Sequence, residues 1–231
     1  MFRTVIRSAL LFAAIVLQAQ SMTAARAAPK DDVISIVAFG DSLTAGYQLP
    51  SSQSFASQLQ MALQAKGRKV QIVNAGVSGD TTAGGLERLE WTLASGADAV
   101  ILELGANDAL RGVDPKVTRA NLDKMLSIIS GKGADVLLAG MKSPGNWGDD
   151  YQKQFDAIFP ELAKKHGATL YPFFLDGVFG GGVAEKAIDR SLIMDDGLHP
   201  TSKGVAIVVA RILPSVEALI DRVAARKAAA N

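Results

Sequence analysis

Short β-rich apolar runs alternate with amphipathic helical segments along this chain, and nearly every run stops at a glycine. Val33–Phe39 closes at Gly40, Val70–Asn74 leads to Gly76, Ala99–Leu104 stops at Gly105 and Val136–Ala139 at Gly140. Between them, apolar residues at helical spacing predict helices over Ser54–Lys66, Thr81–Ala94, Pro115–Ser130 and Tyr151–His166. Thr169–Tyr171 reads as a short fifth strand, and Ser202–Val223 as a long last helix fraying into Arg226–Asn231. Strands of four to seven residues with helices between them imply βαβ units. The sheet is then parallel and covered on both faces, an α/β fold. No internal repeat, long linker or low-complexity tract interrupts the pattern, so one domain is expected over residues 28–231.

The first residues do not belong to that pattern. Met1–Arg7 carries two arginines and no acid, Ala9–Leu17 is unbroken apolar, and Ala25-Arg26-Ala27 is a small-x-small step. This is the layout of a secretory signal peptide over residues 1–27, with cleavage near Ala27. The apolar run is far shorter than the roughly 20 residues that span a bilayer, so no stable membrane insertion is expected after cleavage. Losing Arg3, Arg7 and Arg26 turns a formal charge of +1 mildly acidic. Such a balance gives no electrostatic reason to expect a nucleic-acid partner. The chain has no cysteine. Disulfide frames, thiol nucleophiles, thiolate zinc sites and iron–sulfur clusters are therefore excluded. A periplasmic or secreted location is expected.

In open α/β sheets, ligands bind outside the carboxyl ends of the strands. The segments in those places are Gly40-Asp41-Ser42-Leu43-Thr44-Ala45-Gly46, Gly76-Val77-Ser78-Gly79-Asp80-Thr81 and Gly105-Ala106-Asn107-Asp108. Asp195-Asp196-Gly197-Leu198-His199-Pro200 precedes the last helix. A serine hydroxyl needs a base, and histidine is the usual one. Of two histidines, His166 ends a helix in Lys164-Lys165-His166-Gly167, where a solvated cation suffices. His199 lies three residues after Asp196, which could orient one ring nitrogen and aim the other at a serine. An Asp cap before the last helix, with His199 merely exposed, explains the same residues. Ser42 is the candidate nucleophile, although an N-cap serine is the bland alternative. The G-x-S-x-G elbow is absent, because Thr44 stands where the second glycine would be. The Gly79 backbone N–H and the Asn107 amide are candidate oxyanion donors. A turn glycine and an Asx-turn are their ordinary readings.

The blocks FGDSLTAGY, NAGVSGDT, LELGANDALRG and DDGLHPTSKG resemble the four signature blocks of the SGNH, or GDSL, hydrolase family, in order and spacing. The chain looks most like the bacterial branch of periplasmic acyl-CoA thioesterases, lysophospholipases and arylesterases. The resemblance implies a three-layer α/β/α sandwich with a central parallel sheet, of flavodoxin-like type. It implies Ser42 as nucleophile, His199 as base and Asp196 as its orienting acid. The oxyanion hole would be formed by the Ser42 backbone N–H, Gly79 and Asn107. No cofactor and no metal are implied. Ala106 departs from the family, which often has glycine there. The function expected is hydrolysis of carboxylic esters or thioesters through an acyl-enzyme on Ser42.

An apolar wall for the acyl group is expected from Leu110, Trp147, Tyr151, Val178 and Phe179, all near the same rim. Gly180-Gly181-Gly182 reads as a turn without phosphate-loop context. The expected partner is a small ester or thioester with an apolar acyl group, and the chain is expected to be a monomer or weak oligomer. Two rivals use the same residues. Asp41, Asp80, Asp108, Asp196 and His199 could hold a divalent ion in a metal-assisted phosphoester hydrolase. A non-catalytic periplasmic binding protein is the other, although two-lobed binders need a duplication that this sequence lacks.

Overall fold

Parallel strands need crossovers, and each crossover here is built around helices that lay their apolar stripes on the sheet. The computed structural model describes residues 33–179 and 189–230. The leader expected over residues 1–27 and the turn expected at Gly180–Gly182 lie outside the described residues. The first half of the chain runs β1 (Ile34–Gly40), α1 (Ser42–Ala45), α2 (Phe55–Ala65), β2 (Val70–Gly76), α3 (Thr82–Thr92) and β3 (Ala99–Glu103). Then follow α4 (Ala106–Leu110), α5 (Pro115–Gly131), β4 (Asp135–Ala139), α6 (Asp149–Asp156) and α7 (Ile158–His166). The chain closes with β5 (Thr169–Tyr171), α8 (Asp176–Phe179) and α9 (Ser202–Ala229).

The five strands form one parallel sheet in the order β2-β1-β3-β4-β5. Strand order reverses at β1, so the crevice between the carboxyl ends of β1 and β3 is the topological switch point. Helices α2 and α9 pack together, with α8 against α9. Helix α5 packs between α3 and α7 to form a second layer. Central strands buried on both sides explain why β1, β3 and β4 read as continuous apolar runs rather than alternating ones. The core joins Ile36, Phe39, Ile101, Leu102, Leu137 and Leu138 of the sheet to Leu59, Leu126, Phe159 and Ile212 of the helices. Edge strand β2 is blunted by α2, whose Gln60 accepts from Ile72 N–H at 2.7 Å and whose Gln64 donates to Val70 C=O at 3.3 Å. These contacts occupy groups that would otherwise template another strand.

Three expectations change. The helix expected over Tyr151–His166 is two, α6 and α7, meeting at Ala157. Pro160 explains the break, since it cannot donate to Asp156 four residues back and its ring crowds that carbonyl. The last helix does not fray after Val223 but continues to Ala229. Arg222 and Arg226 both reach Asp135, at 3.1 and 3.0 Å, and Lys227 reaches Asp98 at 2.7 Å, tying the terminus to the sheet. His166 is not simply solvated. Its side chain is 13% exposed and its ring meets Asp123 of α5 at 2.5 Å. Among the described residues no helix is long and apolar enough to cross a membrane.

Leu102 is fully buried in the middle of the sheet, whereas Trp91 is 83% exposed. Leu102→Ala should cost about 2–5 kcal/mol in urea unfolding, because it leaves a cavity that close packing cannot fill. Trp91→Ala should stay within about 0.5 kcal/mol.

Candidate active site

The ladder between β1 and β3 ends with Gly40 opposite Glu103. Beyond that rung the two chains turn into short helices. Asp41 caps α1, its Oδ1 accepting from Leu43 N–H at 2.9 Å, and Ser42 is the first helical residue. The first N–H groups of a helix have no partner within it, so the Ser42 amide is available as a donor. On the other side, Asn107 sits in the first turn of α4 and its Nδ2 donates to Asp41 Oδ2 at 3.1 Å. One carboxylate therefore fixes both the α1 turn and the Asn107 amide. The second Nδ2 hydrogen remains for another acceptor.

The third block arrives before α9. Asp196 Oδ1 accepts from Leu198 N–H at 2.9 Å and His199 N–H at 3.0 Å, while its Oδ2 lies 2.7 Å from His199 Nδ1. The Asp cap and the ring contact proposed as alternatives are thus made by the same side chain. Met194 N–H bonds to His199 C=O, and Thr201 caps α9 while its N–H bonds to Leu192 C=O. The Asp196 carboxyl sits below the usual carboxylate range: its partial desolvation works the other way, but both backbone N–H groups and the ring outweigh it. An ionised Asp196 only accepts, so Nδ1 carries the ring proton and Nε2 presents a lone pair. Nε2 lies 2.8 Å from Ser42 Oγ, across 157 residues of sequence. Ser42, His199 and Asp196 form one hydrogen-bonded chain, which is what general-base activation of a hydroxyl requires.

Gly79 occupies a tight turn after β2 with φ 84°, a conformation that side chains resist. Arg111, one turn beyond Asn107, donates to Gly79 C=O at 3.0 Å and joins the two loops. Ser42, Gly79, Asn107 and His199 all border a cavity of about 370 Å³. Its remaining wall is largely apolar and includes Leu43, Ala109, Leu110, Met141, Leu175 and Phe179. Ala106, the departure noted above, lines it too.

The predicted acyl wall is partly corrected. Leu110 and Phe179 line the cavity, but Trp147, Tyr151 and Val178 do not. Trp147 turns its indole N–H to Ala109 C=O at 2.7 Å and lays its ring against Gly112. The Tyr151 hydroxyl donates to Val113 C=O at 2.9 Å. Both brace the α4 region through its carbonyls. Val178 is 5% exposed within the core. Sequence proximity to the rim located these residues but not the direction their helices turn them. Tyr47 was missed. Its ring centroid lies 4.4 Å from that of His199, tilted by 36°, and covers the imidazole. Its place as the last residue of the first block was the available signal.

The aspartates proposed as metal ligands are engaged separately. Asp80 pairs with Arg88 at 2.6 Å, and Asp108 accepts from Thr82 and Thr118. Asp41 holds Leu43 and Asn107, while Asp196 holds the His199 turn. Among the described residues no group of three or more His, Asp or Glu side chains converges as a metal site.

Comparison with known proteins agrees with this geometry. A model of the GDSL-like lipase/acylhydrolase family matches residues 38–207. The chain is 43% identical over 166 residues to an arylesterase of Vibrio mimicus, covering 71% of this chain and 79% of that protein. It is 33% identical over 197 residues to thioesterase 1/protease 1/lysophospholipase L1 of Escherichia coli K12, covering 85% and 88%. Among solved structures, a psychrotrophic esterase EstA from Pseudoalteromonas sp., inhibited by monoethylphosphonate, superposes with a TM-score of 0.74 at 28% identity, covering 81% and 99%. With its four blocks gathered at the switch point of one parallel sheet, this chain belongs to the GDSL-like lipase/acylhydrolase family.

Proposed function

We propose that this chain is a serine hydrolase of carboxylic esters and thioesters. The observation that carries the reading is the continuous Asp196–His199–Ser42 hydrogen-bonded chain opening into an apolar cavity. His199 Nε2 takes the Ser42 proton as Oγ attacks the acyl carbonyl. The oxygen that gains the negative charge is stabilised by the Ser42 and Gly79 backbone N–H groups and the Asn107 amide. His199 then returns the proton to the leaving alcohol or thiol, and an acyl-Ser42 ester remains. Water, deprotonated by the same ring, hydrolyses it and restores the hydroxyl. Throughout, Asp196 stays ionised and stabilises the imidazolium without taking its proton.

The substrate class is a small ester or thioester whose acyl group enters the cavity lined by Leu110, Met141, Leu175 and Phe179. Aryl esters, acyl-thioesters and lysophospholipids share that feature. The mature protein comprises residues 28–231 and acts in the periplasm or outside the cell, after removal of residues 1–27.

A fluorophosphonate probe should label Ser42, as peptide mass mapping will show, and His199→Ala should abolish the adduct. Esterase activity lost to a chelator, with Ser42 unlabelled, would sink the assignment. Asn107→Ala should lower kcat by about 10²–10³-fold, consistent with loss of one oxyanion donor. In a series of p-nitrophenyl esters, kcat/KM should rise about fourfold per methylene until the cavity is full, since each buried CH₂ is worth about 0.8 kcal/mol. A flat series would show that the acyl chain lies elsewhere.

A further inference from the structure

A second carboxyl group lies behind the site, and the mechanism above does not use it. Glu103, the last residue of β3, is fully buried. Its Oε2 accepts from the Thr44 hydroxyl at 2.7 Å and from the Asp41 backbone N–H at 3.4 Å. Its Oε1 has no partner among the described residues. Gly40 leaves room for this group: a Cβ there would come within 2.5 Å of Oε2 and 2.2 Å of Thr44 Oγ1. Thr44, the residue that departs from the G-x-S-x-G elbow, is therefore the contact between Glu103 and α1.

An apolar side chain would fill this space at lower cost, because buried carboxyl groups lose hydration. What glutamate adds is an acceptor for Thr44 and for the peptide that leads into Ser42. Asp41, itself buried, then links the same turn to Asn107. The charged groups facing the pair are Arg88 of α3, which donates to Gly40 C=O at 2.9 Å, Asp108 of α4, and His199 across Ser42. Burial, and then the Asp41 charge, push the Glu103 carboxyl well above the usual range. Burial raises Asp41 to about 6, opposed by the Leu43 N–H and the Asn107 amide.

We propose that Glu103 is a positioning residue for the nucleophile turn and for the Asn107 amide. Through Thr44 and the Asp41 backbone it holds the turn that presents Ser42, and through Asp41 it holds the Asn107 amide. The proposal rests on the acyl-transfer reading of the site, which phosphonate labelling of the wild type tests by itself.

The test is kcat and KM for an aryl ester across pH, on wild type, Glu103→Gln, Glu103→Ala and Thr44→Val. Glutamine keeps an acceptor oxygen for Thr44 and for the Asp41 N–H, so Glu103→Gln should keep kcat within about threefold at neutral pH. Glu103→Ala and Thr44→Val should lower kcat about tenfold or more with KM within about twofold, the signature of a misplaced reacting group. Thr44→Val is nearly isosteric and decides the matter should Glu103→Ala fail to fold. A folded Glu103→Gln as impaired as Glu103→Ala would overturn the acceptor role. Unchanged kcat and pH profile in folded Glu103→Ala or in Thr44→Val would overturn positioning altogether. Absence of Ser42 labelling in the wild type would instead overturn the acyl-transfer reading beneath it.

Discussion

Gly40 faces Glu103 across the last rung between two parallel strands, and the positions of the reactive groups follow from that pairing. A parallel ladder delivers both strands to the same edge of the sheet. One strand turns into α1 with Ser42 at its start, and the other into α4 with Asn107 in its first turn. Both strands are apolar on both faces, so a slip is opposed by the fit of particular side chains against the helices on each side. Close packing on both sides of β1 and β3 therefore holds the register, and the register holds the site.

The electrostatics divide into two regimes. Asp196 is met by two backbone N–H groups and the His199 ring, which favour its charged form. Asp41 and Glu103 are driven the other way by burial. Both bind protons more tightly folded than unfolded, so between pH 3.8 and about 6 the ionisation of Asp41 erodes stability as pH rises. Asp196 has the opposite sign and erodes stability only as pH falls. The acids under the nucleophile are thus a stability cost at neutral pH, as functional sites commonly are.

Much of this was legible in the residues alone. Glycines at strand ends and helical spacing between them marked every strand to within two residues. They also located the segments where polar side chains gather. The failures have physical causes. Pro160 broke a helix that the apolar period carried through. Ion pairs to Asp98 and Asp135 extended α9 beyond the apolar stripe that defined its end. Trp147 and Tyr151 were assigned to the cavity because they are aromatic and near the rim in sequence, yet their polar tips are drawn to Ala109 and Val113 carbonyls.

Local patterning determined the kinds of element, their order and the chemical groups at each strand end, because those depend on neighbours a few residues apart. Only the tertiary structure brought Ser42 within 2.8 Å of His199, turned Tyr47 over the imidazole and placed Glu103 beneath Thr44. These contacts depend on strand register, helix phase and burial. The environment that decides whether a carboxyl group keeps its proton is assembled from β1, β3, α1 and α4 at once. No stretch of sequence contains it.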